Sequence, residues 1–194
     1  MNDFSPGERF TTRPLCAADY TEVCRIYMAT FPCMDDNDFT HAWLSRSLQS
    51  SLALLDRTRL REKSQLIGFG IVCPHHESEF PMVREKLWFL AVDSTVRGGG
   101  AGSVLLDSII AALLPGSLCL APVNEDRVIR WYQKKGFQIV RQSAFIHEDI
   151  PTCLMAHTVS DDGDGDETIT ISTSSSLSSR RSSESLCDSP EISL

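Results

Sequence analysis

The chain has 194 residues, 42% of them hydrophobic and 23% charged, with a formal net charge of −8. That length and apolar content suffice for one domain with a core of its own. Eight acidic residues against two arginines lie beyond residue 160, so six of the eight net negative charges sit there, and the remainder shows no basic footprint for nucleic acid.

Seven cysteines, Cys16, Cys24, Cys33, Cys73, Cys119, Cys153 and Cys187, are odd in number, scattered and without a Cys-x-x-Cys pair, the pattern of a reduced intracellular chain. The opening Met1-Asn2-Asp3-Phe4-Ser5 has neither the basic nor the apolar region of a signal peptide, and no apolar run approaches the ~20 residues that span a bilayer. These features predict a soluble protein of the cytoplasm or nucleus, away from membranes.

Residues 9–14 (RFTTRP) alternate like a short strand that Pro14 closes. Tyr20, Val23, Tyr27, Met28 and Phe31 then fall on one stripe of a helix that Pro32 ends, and Tyr27 and Phe31 read as core. The acidic Asp35, Asp36 and Asp38 precede a second helix around Phe39, Trp43 and Leu48 and read as its capping turn. Residues 51–58 and 65–73 predict a strand pair around a charged turn, with Gly68 and Gly70 weakening the second strand or marking a close backbone approach. Cys73, His75, His76, Glu77 and Glu79 have metal-ligand chemistry, but their spacing fits no zinc pattern and no second half exists, so no metal is expected.

The most informative stretch is residues 87–106, LWFLAVDSTVRGGGAGSVLL. Its first six residues have the length and apolarity of a strand buried on both faces, and Val104, Leu105, Ile109, Ile110 and Leu113 suit a helix that Pro115 and Gly116 terminate. Glycines between a strand and a helix N-terminus permit positive φ and close approach of a ligand, while the open amides and the helix dipole favour an anion such as a pyrophosphate. No lysine follows Gly102, which excludes a Walker loop, and the glycine spacing is one residue too tight for a Rossmann fingerprint. Residues 117–123 predict another buried strand; Asn124, Glu125 and Asp126 suit a helix start, Val128, Ile129, Trp131 and Tyr132 fill that helix, and Gly136 is a natural C′ residue. Residues 138–147 and 152–157 read as the last two strands. Beyond Ser160, Asp-Gly repeats and a serine run predict a disordered tail with phosphorylatable serines, Ser189-Pro190 among them. Asp162, Asp164 and Asp166 imitate the start of a calcium loop, but Glu167 stands where glycine is needed and Thr173 where glutamate is.

Two signatures in this order resemble the GNAT acetyltransferase superfamily: Arg97-x-x-Gly100-x-Gly102 behind Val92-Asp93, and Tyr132-x-x-x-Gly136-Phe137. Arg13-Pro14-Leu15-Cys16-Ala17-Ala18-Asp19 is similar to that family's opening pattern. The resemblance covers roughly residues 9–159 and implies a domain over 1–159 followed by the tail 160–194. The implied fold is α/β, a mixed and mostly antiparallel sheet flanked by helices and splayed between strands four and five. The implied cofactor is acetyl-CoA, used as co-substrate, with its pyrophosphate on Arg97, Gly98, Gly99, Gly100, Ala101, Gly102 and Ser103. Its thioester and pantetheine arm would lie along the backbone of Leu90, Ala91 and Val92, with Asn124 as a further contact. The implied activity is N-acetyl transfer by direct attack in a ternary complex, onto an amine of a small molecule or protein brought in beside the first two helices. Tyr132 falls where a family tyrosine serves as general acid. Trp88 and Phe89 stand where many members carry a carboxylate, which leaves the base to Glu85, Glu79, His75, His76, a water chain or an already neutral amine. The same departure motivates the alternative of a GNAT-fold CoA-binding or regulatory module without turnover.

Overall fold

The computed structural model describes residues 9–32, 36–59, 65–75, 83–96, 99–113, 118–123, 125–147 and 150–158. The strands are β1 (Phe10–Pro14), β2 (Leu52–Asp56), β3 (Leu66–Pro74), β4 (Val83–Val92), β5 (Leu118–Val123), β6 (Gln138–His147) and β7 (Ile150–Thr158). The helices are α1 (Tyr20–Thr30), α2 (Asp36–Ser45), α3 (Ala101–Ala112) and α4 (Asp126–Lys134), with short 3-10 turns at Ala17–Asp19, Arg57–Arg59 and Ser94–Val96. Among the described residues no helix is long and apolar enough to cross a membrane.

One seven-stranded sheet runs in the order β1-β2-β3-β4-β5-β7-β6. Every neighbouring pair is antiparallel except β4 and β5, which are parallel. The chain returns to lay β5 beside β4 through α3, as a parallel pair requires.

Period-3.6 apolar stripes decide which face each helix covers. Val23, Ile26 and Tyr27 of α1 and Phe39, Ala42 and Trp43 of α2 pack on Ala53, Phe69, Ile71, Phe89 and Ala91 of the sheet. Leu105, Leu106 and Ile109 of α3, with Tyr132 of α4, cover the other face over Leu54, Ile67, Val72 and Leu87. Tyr27 is thus core, stacked on Phe39 with ring centroids 4.2 Å apart. Helix α2 ends before Leu48, which is exposed in the following turn instead of extending the stripe. The opening Arg13–Asp19 motif has a structural meaning. Arg13 donates from both terminal nitrogens to the two Asp19 oxygens, each at 2.7 Å, and Asp19 also accepts the Cys16 amide, which fixes the turn that feeds α1.

Gly68 and Gly70 mark close approaches. A Cβ on Gly68 would lie 2.7 Å from the Ala91 carbonyl oxygen, and one on Gly70 would lie 2.3 Å from Cδ1 of Ile109. These absent side chains let β4 and α3 sit tightly on β3. Both substitutions by alanine should destabilise, Gly68→Ala by about 1–3 kcal/mol and by more than Gly70→Ala, because a backbone oxygen cannot yield as an isoleucine methyl can. Urea unfolding midpoints of the two variants check the order, and a costlier Gly70→Ala would contradict it.

Candidate active site

Strand β4 organises the site. On one side it pairs with β3 along its length, but register is lost between Ile71 and Val72, whose partners are Phe89 and Leu87. Trp88 is the extra residue of a bulge. A bulge bends the strand and shifts side-chain alternation, so Trp88 and Phe89 both pack on the α1/α2 side, while Leu87, Leu90 and Val92 pack on the α3 side.

On its other side β4 pairs with β5 only at Val83, Glu85 and Lys86. Residues 87–92 of β4 have no β5 partner, and residues 121–123 of β5 pair with β7 alone. The strands have parted from the bulge onward, as the resemblance implied. Asp93 donates its amide to the Ile67 carbonyl, and antiparallel pairing spends the main-chain groups of alternate residues on β3. Ala91 therefore pairs inward, and Leu90 and Val92 turn their main-chain groups toward the gap.

At the same end of β4 lies the glycine loop. Gly100 is the N-cap of α3 with φ 79°, a conformation that side chains rarely adopt, and it offers no side-chain cap. Helical geometry leaves the amides of Ala101, Gly102 and Ser103 without an intrahelical acceptor. A Cβ on Gly99 would stand 3.6 Å from Phe10, and one on Gly102 would stand 3.8 Å from Trp131, so the loop runs close under both rings. Free amides at a helix N-terminus suit an anion, and the loop lies at the end of β4 that has parted from β5. Arg97, Gly98 and Asn124 lie outside the described residues.

The loop is anchored through Asp93, the last residue of the Val-Asp pair. Its Oδ1 accepts the amide and hydroxyl of Thr95 at 2.9 and 2.8 Å, and its Oδ2 accepts Nη2 of Arg25 from α1 at 2.6 Å. Burial alone would raise this carboxyl, but the Thr95 amide and the Arg25 guanidinium outweigh it and hold the group at about 2 against an ordinary 3.8. Asp19 is held at about 2 in the same way, burial being outweighed by Arg13 and the Cys16 amide.

Tyr132 is 6% exposed. It sits edge-on to Trp131 and Phe137, at ring-centroid distances of 4.9 and 4.8 Å, within the apolar cluster that joins Leu87 of β4 to Cys153 and Met155 of β7. Gly136 closes α4 with φ 86°, as its place in the sequence predicts. On the opposite face Phe31 packs on Phe89 at 5.5 Å, and Lys86 lies 4.2 Å from the Trp88 ring.

One sequence expectation is corrected. Strand β4 begins at Val83, not Leu87, so it does carry a carboxylate, Glu85. That residue is 7% exposed and accepts a 2.6 Å hydrogen bond from the Ser50 hydroxyl. Alternation places it on the α3 side with Leu87, away from Trp88. The apolar run that signals the strand starts only at Leu87, because Arg84, Glu85 and Lys86 are charged. Of the other candidate bases, His75 is buried beside β3, whereas His76 and Glu79 lie outside the described residues, as do Cys33, Asp35, Glu77 and residues 159–194. Among the described residues no three His, Cys, Asp or Glu side chains cluster as metal ligands.

The domain model described as acetyltransferase (GNAT) domain matches residues 57–139, from the turn after β2 to the start of β6. The chain has the GNAT fold, and its central part, residues 57–139, matches the GNAT acetyltransferase domain. Arabidopsis thaliana NAA60 in complex with acetyl-CoA is 19% identical with a TM-score of 0.63, over 77% of this chain and 99% of that one. The ribosomal-protein-S18-alanine N-acetyltransferase of Escherichia coli is 20% identical with a TM-score of 0.60, over 80% and 97% of the two chains. Arabidopsis thaliana Naa50 in complex with the bisubstrate analogue CoA-Ac-MVNAL is 14% identical with a TM-score of 0.61, over 77% and 99%. No curated protein matches the chain by sequence.

The Asp93 and Asp19 clamps have a pH signature. Both carboxyls bind protons more weakly folded than unfolded, so their stabilisation is complete above about pH 5 and is lost as pH falls through about 4 toward 2, about 1–2 kcal/mol for each. Asp93→Asn should be less stable at neutral pH and lose less than the wild type on acidification. Urea midpoints across that range check this, and an equally steep fall in the variant would remove Asp93 as the cause.

Proposed function

We propose that the chain is an N-acetyltransferase that moves the acetyl group of acetyl-CoA onto an amine by direct attack in a ternary complex. The observation that carries this reading is the meeting, at one end of β4, of a glycine-lined helix N-terminus and two central strands that have parted. When bound, acetyl-CoA supplies an acetyl thioester already activated for transfer. The amides of residues 99–103, with Arg97, hold its pyrophosphate. Leu90 and Val92 present main-chain groups along the gap, where an N–H aimed at a carbonyl polarises it without reorganisation. As the C–S bond breaks, the Tyr132 phenol hydrogen-bonds the departing sulfur and passes it a proton that water, having taken up the amine's proton, restores; Asn124 contacts the arm.

The acceptor enters from the α1/α2 face, against Phe31, Trp88 and Phe89. No carboxylate of β4 lies on that face, since Glu85 turns to the other. On this reading no carboxylate of β4 takes the proton: the amine arrives neutral and delivers it to water. A polypeptide α-amine, with a pKa near ~7.7–8.0, is substantially neutral at physiological pH, whereas a lysine amine near ~10.4 is not. This favours a polypeptide N-terminus as acceptor. The bisubstrate peptide analogue bound by Naa50 and the alanine acceptor named for the Escherichia coli enzyme support the same choice.

Thermal melting of the full chain tests the cofactor. Acetyl-CoA at about 100 times its dissociation constant adds ~2.7 kcal/mol, roughly 5–10 °C for a domain of this size. Ser103→Glu places a carboxylate where the helix dipole welcomes it but a pyrophosphate does not, so it should melt like the wild type and lose the shift. Thiol release with free-N-terminal peptides then reads turnover, and Tyr132→Phe should slow it about 100-fold with little change in acetyl-CoA affinity. A shift without turnover on any amine would favour the CoA-binding module, for which Trp88 and Phe89 in place of a base already speak. No shift would reduce the glycine loop to scaffold.

A further inference from the structure

The glycine loop has a cationic neighbour that its motif does not contain. Arg9 precedes β1, and its Nε and Nη2 both donate to Oδ2 of Asp56, at 3.1 and 2.7 Å. The Asp56 side chain is fully buried at the end of β2, and its other oxygen accepts the Thr58 amide and hydroxyl at 2.9 and 2.6 Å. A buried carboxylate with this many donors is fixed in place, and it fixes the arginine in turn.

Two of the three guanidinium nitrogens of Arg9 are thereby used. The third, Nη1, lies 3.7 Å from the point that a Cβ on Gly99 would occupy. The same guanidinium stands 4.9 Å from the Phe10 ring centroid, which supports its planar face beside the loop. Arg59 reaches the same carboxylate with Nε at 3.9 Å and donates from Nη2 to the Thr95 hydroxyl at 3.4 Å. Two guanidinium groups thus converge on one buried carboxylate beside the loop. The Arg9 side chain is 37% exposed, open enough to take a ligand. A held guanidinium of this kind suits phosphate oxygens better than a flexible ammonium does.

We infer that Arg9, seated on Asp56, is a phosphate ligand of the acetyl-CoA site. The inference rests on the acetyl-CoA reading above and adds to it a residue from the opposite end of the sequence. CoA offers this cation two sources of the same chemistry, the pyrophosphate and the 3′-phosphate of its ribose.

Calorimetric titration of the full chain with CoA and with 3′-dephospho-CoA tests it, using the wild type, Arg9→Gln and the double variant Arg9→Gln/Asp56→Asn. The double variant removes the buried carboxylate that the single one would strand. Both variants should bind CoA about 10-fold more weakly than the wild type. A loss confined to CoA assigns the contact to the 3′-phosphate, and an equal loss for both ligands assigns it to the pyrophosphate. Wild-type affinities in both variants would overturn the inference. So would a loss in Arg9→Gln that the double variant recovers, because the arginine would then serve only the carboxylate. A wild type that binds neither ligand would instead sink the acetyl-CoA reading, and the assignment of Arg9 with it.

Discussion

A strand in the middle of a sheet normally spends its main-chain groups on both neighbours, and β4 does so only as far as Lys86. Beyond that point half of its polar backbone has no strand to pair with, a condition a buried strand sustains only where something else takes the hydrogen bonds. The bulge at Trp88 stands at the transition. It adds twist where the two halves of the sheet begin to diverge, and it carries two successive aromatic side chains to one face. The aromatic wall follows from this single extra residue, and it stands where the polar edge and the gap begin.

At the end of the sheet that carries the glycine loop, two carboxylates add charged contacts to the apolar ones. Asp56 closes β2, Asp93 follows β4, and antiparallel pairing of β1 with β2 sets Phe10 opposite Asp56. Each carboxylate takes an arginine from a distant part of the chain, Arg9 and Arg25 respectively, and each also caps the turn that follows it through a threonine. A loop of glycines has large conformational entropy to lose. Clamping its root at Asp93 and its flank at Asp56 restricts that freedom while leaving the glycine backbone bare for a ligand.

Much of this was legible in the residues. Continuous apolar runs marked β3, the outer part of β4 and β5; the stripe of α3 announced its buried face, whereas on α1 only part of the stripe did, since Tyr20 and Met28 are exposed and Ile26 is buried instead; Gly100 and Gly136 take the positive φ that their positions demand. The start of β4 was not legible, because Arg84, Glu85 and Lys86 carry charge. Glu85 and Lys86 are nonetheless buried, one on Ser50 and the other against Trp88, contacts that no local pattern encodes. The bulge was equally silent, since an apolar run does not say where its alternation breaks. Arg9 and Asp56 stand 47 residues apart and meet only because β1 and β2 pair, so the cation beside the loop appears in the fold and not in the motif.

The parted strands also create an edge inside the molecule. Any free edge invites another strand to add to it, and natural sheets blunt theirs by keeping them short or by placing proline on them. Both devices are present here. The free part of β5 is three residues long and contains Pro122, which has no N–H to offer an incoming strand. A stray polypeptide therefore finds little to zip onto along β5, while a slender ligand that leans on β4 alone loses nothing. Shortness and a proline thus keep another backbone off β5, while the six free residues of β4 leave their main-chain groups to the ligand.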